Sequence, residues 1–145
     1  MLLEIEKKIS NMLRDNKALS NQIVDNQEKK EQYLDTVFLD VVSVLDAFSR
    51  EEKVIEDHKW NLSEDSQKAI KRLRNAKRKL ITVLEKYDVH KISFEEGISV
   101  DDYCIVTDTE PLPERPNGYI ISVEKDGYTR NGHLLRRAEV IIAKN

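Results

Sequence analysis

Few side chains here are suited to covalent chemistry, and their spacing suits little of it. The three histidines stand far apart, at His58, His90 and His133, and the single cysteine is Cys104. No Cys–His or paired-His spacing matches a zinc site, which needs several nitrogen or sulfur ligands at short intervals. Four glycines build no phosphate-cradling loop, and Asp101-Asp102 reads as an isolated acidic pair on a solvated strand edge. No catalytic residue, metal or cofactor is therefore expected, and the chain reads as a non-enzyme. One segment does concentrate charge: Lys68, Lys71, Arg72, Arg74, Lys77, Arg78 and Lys79 place seven cations in twelve residues with no acid between them. Basic helices can track phosphates. The net charge of −3 and the lack of interleaved aromatics speak against nucleic acid, and a solvated or helix-paired face is the simpler reading.

The charge distribution favours helix pairing. Residues 1–60 carry 9 basic and 13 acidic side chains, whereas residues 61–90 carry 8 basic and 4 acidic. Segments of opposite sign neutralise each other's fields most cheaply by lying side by side. Charged residues make up 35% of the 145 and aromatics only 6%, a composition rich in helix formers and poor in core-filling rings. A compact monomer of this size would bury more, so an oligomer is expected. A lone cysteine suits a reducing compartment. No apolar run is long enough for a membrane span, and Met1-Leu2-Leu3-Glu4 is too short and acidic for a signal peptide, so a cytoplasmic location is expected.

The elements that must position any binding residues are legible in the spacing. The first glycine is Gly97 and the first proline Pro111, so both breakers are absent from a long N-terminal stretch. Leu2, Ile9, Asn16, Ile23, Lys30 and Val37 fall on heptad position a, and Ile5, Met12, Leu19, Asn26 and Tyr33 on d. This is a coiled-coil seam. Asn16 is the kind of a-position residue that fixes register, and Asn26 with Lys30 marks a weaker stretch in which the lysine methylenes cover the seam. From Val37 the apolar face widens through Phe38, Val41, Val42, Val44, Leu45 and Phe48, which suits a bundle. Together these assign Ile5, Ile9, Met12, Leu19, Ile23, Val37, Val41, Val44 and Phe48 to a dimer contact. The first helix should run from about residue 2 to the mid-50s, on the order of 80 Å at ~1.5 Å per residue.

Trp60, Asn61 and Leu62 read as a connection, and Ser63 with Glu64 and Asp65 as the capped start of a second helix ending near Tyr87-Asp88. Its stripe is Ile70, Leu73, Leu80, Leu84 and Tyr87, with Lys77 in the gap. Beyond Gly97 the pattern becomes strand-like, with runs at 103–107, 119–124, 128–130, 133–136 and 140–143. Asn131-Gly132 is the strongest hairpin signal, because a type I′ turn needs positive φ at both residues. The expected fold is α+β: a coiled-coil stalk over 1–36, a helical bundle that dimerises over 37–90, and a small antiparallel β-domain over 91–145.

The stretch Gly127-Tyr128-Thr129-Arg130-Asn131-Gly132-His133-Leu134-Leu135-Arg136-Arg137-Ala138 and the strand Val140-Ile141-Ile142-Ala143-Lys144 resemble the C-terminal signature of the GrpE family. Val44-Leu45-Asp46 resembles the family's Val-Leu-Asp segment, and Leu84-Glu85-Lys86-Tyr87 the end of its second bundle helix. The resemblance runs from about residue 30 to the end. Asp88 stands where many members have Gly, Ser43 where a Pro is common, and Ser99–Ile105 lacks the usual Asp-Pro and His. These departures make the chain a divergent member whose partner could be a dedicated DnaK paralogue.

The resemblance implies a nucleotide exchange factor, a co-chaperone that works as a parallel homodimer. One β-domain would engage the nucleotide-binding domain of a DnaK-class chaperone and promote ADP release. It carries the partner contact onto Tyr128, Asn131, Leu135 and Arg136. The residues leave other roles open: Gly127, Asn131 and Gly132 suit turns, Leu135 suits a core, Arg136 an internal salt bridge, and Asp46 with Arg50 a bundle ion pair. The alternative function is a coiled-coil scaffold whose β-domain binds some other protein.

Overall fold

The computed structural model describes residues 1–94, 96–99 and 102–145; Asp101 of the acidic pair lies outside the described residues, as does Val100 in the departing segment. The order is α1 (Leu2–Asp57), α2 (Glu64–Lys86), β1 (Val89–Lys91), β2 (Cys104–Glu110), β3 (Ile120–Lys125), β4 (Tyr128–Arg130), β5 (His133–Arg136) and β6 (Ala138–Ala143). The chain divides into two units, Met1–Val37 and Phe38–Asn145. The first is helical from Leu2 onward, and its seam residues Ile5, Ile9, Met12, Leu19 and Ile23 are all more than half exposed. A helix with so exposed an apolar stripe gains little from its own chain.

The second unit begins with the wider apolar face of α1. Ser63 caps α2: its Oγ accepts from the Ser66 amide at 3.1 Å, and Glu64 and Asp65 fill the first turn, where the helix dipole favours acids. The helix stops at Lys86 because Asp88 turns the chain, with φ 59°, into the left-handed region. Aspartate thus takes the position that glycine commonly fills. The expected charge pairing of the helices is present: Lys77 reaches Glu52 at 2.9 Å, and Arg74 lies 4.0 Å from both Glu52 and Glu56.

Two three-stranded sheets follow, ordered β1-β4-β5 and β2-β6-β3. The ladders β1–β4, β4–β5 and β3–β6 are antiparallel, but β2 runs parallel to β6, with Val106 opposite Val140. The second sheet is therefore mixed rather than antiparallel throughout. Strand β1 had no counterpart in the sequence reading, which ended the second helix near Tyr87-Asp88 and placed its first strand only beyond Gly97.

Each sheet has its own core. Val42, Leu45, Leu84, Val89 and Tyr128 are buried together, with Phe38, Val41, Leu80, Ile81 and Leu135 against them, so both helices seal onto the first sheet. Cys104, Ala138 and Val140 form the second core with Phe94, Ile120 and Ile142. Val42 and Val89 in the first core and Val140 in the second are buried completely or nearly so, each worth roughly 1.5–3 kcal/mol.

Candidate functional site

The signature segment folds as the β4–β5 hairpin and the strand β6. Asn131 and Gly132 carry φ of 52° and 80°, the pair of positive values a two-residue turn requires, and Arg130 faces His133 across it. The Asn131 amide donates to the Asp88 carbonyl at 3.1 Å, which docks the hairpin tip on the end of α2. Gly127 has a different task. A Cβ there would stand 2.6 Å from the Ala138 nitrogen and 3.1 Å from the Arg136 carbonyl, so glycine is what lets two strand connections touch.

The four residues carried over as partner contacts occupy unlike environments. Tyr128 is buried in the first core, Leu135 packs half-buried against it, and Asn131 is exposed at the turn. Arg136 faces inward. Its Nη1 and Nη2 donate to the two carboxylate oxygens of Asp46, each at 2.6 Å, and its Nε donates to the Asp126 carbonyl at 2.8 Å. The guanidinium also lies 5.4 Å from the centre of the Tyr128 ring. Planar bidentate pairing of this sort is specific to arginine.

The electrostatics follow from that geometry. The Arg136 hydrogen bonds hold the Asp46 carboxyl below its ordinary value, against the opposing effect of burial. Burial alone would lower the Arg136 guanidinium, but its bonds to Asp46 and the charge beside it leave it raised. Burial, helped by the charge of Asp126, pushes the Tyr128 phenol up to about 12. Both side chains of the pair are less than one-fifth exposed.

The sequence left Asp46 open to an ion pair with Arg50 and Arg136 open to an internal salt bridge; the structure pairs Asp46 with Arg136, ninety positions away. Arg50 sits one helical turn along and adds only a longer-range attraction. Among the residues assigned to a dimer contact, Val41 packs into the intrachain core, Phe48 is half-buried, and Val44 and Val37 remain exposed. Arg130 was missed altogether. It is 2% exposed and lies 5.5 Å from the Phe38 ring centre, and its place in a strand beside Tyr128 was the only hint. No group of metal-ligating side chains occurs among the described residues, and no helix there is long and apolar enough to cross a membrane.

Comparison with known proteins places this geometry in context. The GrpE family model matches residues 2–144. Protein GrpE of Methanosarcina barkeri is 31% identical over 120 residues, which is 81% of this chain and 54% of that protein. Protein GrpE of Methanosarcina acetivorans is 28% identical over the same shares. A GrpE protein homolog, mitochondrial, from Neurospora crassa is 25% identical over 112 residues, 73% of this chain and 47% of its own. The chain spans about half the length of the curated relatives it matches. With the family match running through both helices and every strand, this chain belongs to the GrpE family.

Proposed function

We propose that the chain is a nucleotide exchange factor, a co-chaperone that binds the ATPase domain of a DnaK-class chaperone and promotes ADP release. The observation that carries this reading is the family match over residues 2–144, which takes in the hairpin and β6. The factor binds the open form of the chaperone better than the closed one and shifts the population toward it. By linkage, ADP weakens the factor's binding by the same ratio. The factor itself makes and breaks no bond, needs no cofactor and is not an enzyme.

The domain roles belong to the same reading: residues 1–36 form the stalk, 37–90 the dimerising bundle and 91–145 the chaperone-binding β-domain. Homodimerisation is supported by the exposed seam from Ile5 to Ile23, whose apolar side chains find no cover in their own unit. On the β-domain, Asn131 offers an exposed polar contact, while Ile105, Val106 and Val123 offer exposed apolar surface on the second sheet. Tyr128, Leu135 and Arg136, on the same hairpin as Asn131, then support that end of the contact from beneath. A cytoplasmic site of action suits a chain with one buried cysteine.

The test is release of a fluorescent ADP analogue from each DnaK-class protein of the host, with and without this chain. Faster release from one of them identifies the partner. No acceleration from any would sink the reading in favour of the scaffold. Crosslinking of Ile9→Cys chains tests the parallel dimer, since antiparallel chains would keep the two cysteines apart.

A further inference from the structure

The second unit is built as a platform and a wing. Helix α1 from Phe38, helix α2 and the sheet β1-β4-β5 share the first core, whereas the sheet β2-β6-β3 closes around the second. The chain passes between them three times: between Lys91 and Cys104, joining β1 to β2, at Asp126-Gly127, joining β3 to β4, and at Arg137, joining β5 to β6. The last two touch at Gly127, and the first is tied to them by the Ile92 amide on the Gly127 carbonyl and the Ala138 amide on the Tyr103 carbonyl, so all three meet in one joint. Arg136, the last residue of β5 and so itself on the platform, braces the joint from the platform side: its Nε donates to the Asp126 carbonyl within one crossing, while its Nη atoms grip Asp46 on the platform helix.

Beside the joint lies an open cleft of about 570 Å³ between α1 and the wing. Arg50 and Lys53 with Asp46 line its helix wall, and Glu124, Asp126 and Glu139 with Lys125 line the facing wall, so the walls carry opposite net sign. Walls of opposite net sign across an unfilled space attract, and Asp46 and Arg136 sit beside that space at the joint.

We propose that Asp46 and Arg136 are positioning residues that fix the angle of the wing against the helices, and that they act in exchange through this angle rather than by touching the chaperone. The proposal rests on the exchange reading above. Three of the five guanidinium N–H groups of Arg136 are spent on Asp46 and Asp126, and the side chain is only 16% exposed. The exposed Ile105, Val106 and Val123, by contrast, ride on the wing and move with it. Without the pair, the charged walls draw together and the wing samples a range of angles.

The experiment places spin labels on Ser49→Cys and Val123→Cys, which face each other across the cleft, in a Cys104→Ala background. Dilution with excess unlabelled chain restricts the reading to distances within one chain. The parent should give one narrow distance distribution. Arg136→Lys, which keeps the charge but loses the fork, and Asp46→Asn, which keeps the shape but loses the charge, should each broaden it toward shorter distances. In the ADP-release assay both should lower the maximal rate several-fold and leave the half-saturating concentration nearly unchanged. An unchanged, narrow distribution in both folded variants would overturn the proposal. So would weakened binding in Arg136→Lys with Asp46→Asn indifferent, since that marks Arg136 as a direct contact. If no chaperone responds even to the parent, the exchange reading falls, and the distances still decide whether the pair sets the angle.

Discussion

Two glycines in the signature segment should respond very differently to the same substitution. Gly127→Ala puts a methyl 2.6 Å from the Ala138 nitrogen, 2.9 Å from Ile92 Cδ1 and 3.1 Å from the Arg136 carbonyl. The isoleucine end can swing aside, but the other two atoms are backbone. The Ala138 amide is also committed, donating to the Tyr103 carbonyl at 2.9 Å. Relief requires the two strand connections to part, and overpacking that displaces backbone costs toward the upper end of roughly 1–3 kcal/mol. Gly132→Ala meets nothing within 4 Å, and its only burden is φ of +80°. That strain costs about 1–2 kcal/mol, partly offset by about 0.4–1 kcal/mol from a less free unfolded chain. The expected costs are thus about 3 kcal/mol at Gly127 and about 1 kcal/mol or less at Gly132. With a urea slope of about 2 kcal/mol per molar, the midpoint falls by about 1.5 M in the first case and by about 0.5 M at most in the second. Protomer concentration must be held fixed, because association adds to apparent stability. Amide exchange supplies the local reading: Ala138 should exchange about a hundredfold faster in Gly127→Ala, at about 1.4 kcal/mol for each factor of ten. If Gly127→Ala is no more costly than Gly132→Ala, or leaves Ala138 protected, the close approach is not what keeps glycine at position 127.

Three further outcomes follow from the same contacts. Asp46→Ala and Arg136→Ala should each cost about 2–3 kcal/mol, because each leaves a mostly buried charge unpaired, and the double variant should cost far less than their sum in a denaturation cycle. Stability should also depend on pH at both extremes. Asp46 is depressed in the fold, so its contribution is full above the ordinary carboxylate range and lost as pH falls through its lower folded value; Asp46→Asn should flatten that acid limb. Tyr128 is raised to about 12, so its contribution is full below pH 10 and lost between 10 and 12; Tyr128→Phe should remove this alkaline loss. Ser63→Ala should cost about 1 kcal/mol, read as faster amide exchange at Ser66 in the first turn of α2.

What could be read from the sequence divides along a physical line. The helices were legible because their signals are local: the heptad spacing from Leu2, the cap at Ser63 and the halt near Asp88 each involve residues within a turn or two. The Asn131-Gly132 turn was legible for the same reason. Strand β1 was not, because three residues carry no period, and Val89–Lys91 is extended only through its pairing with β4. The parallel pairing of β2 with β6 was equally hidden, since Val106 and Val140 meet across three intervening strands and nothing near either residue sets the direction.

The site shows the same limit more sharply. Apolar spacing said that Val41 and Leu135 would be covered, but apolar surface does not name its cover; both found it within their own chain. Asp46 had a cation one helical turn away in Arg50, the neighbour local reasoning chooses. Yet an exposed pair one turn apart is worth only a few tenths of a kcal/mol, while a fork on both carboxylate oxygens in a partly buried joint is worth several times more. The larger interaction prevails in the fold although it spans ninety positions and closes a longer loop, since loop closure grows only with the logarithm of length. The family signature carried Arg136 over without saying what it does, and nothing local to it announced that its guanidinium would turn inward onto Asp46 and the Asp126 carbonyl.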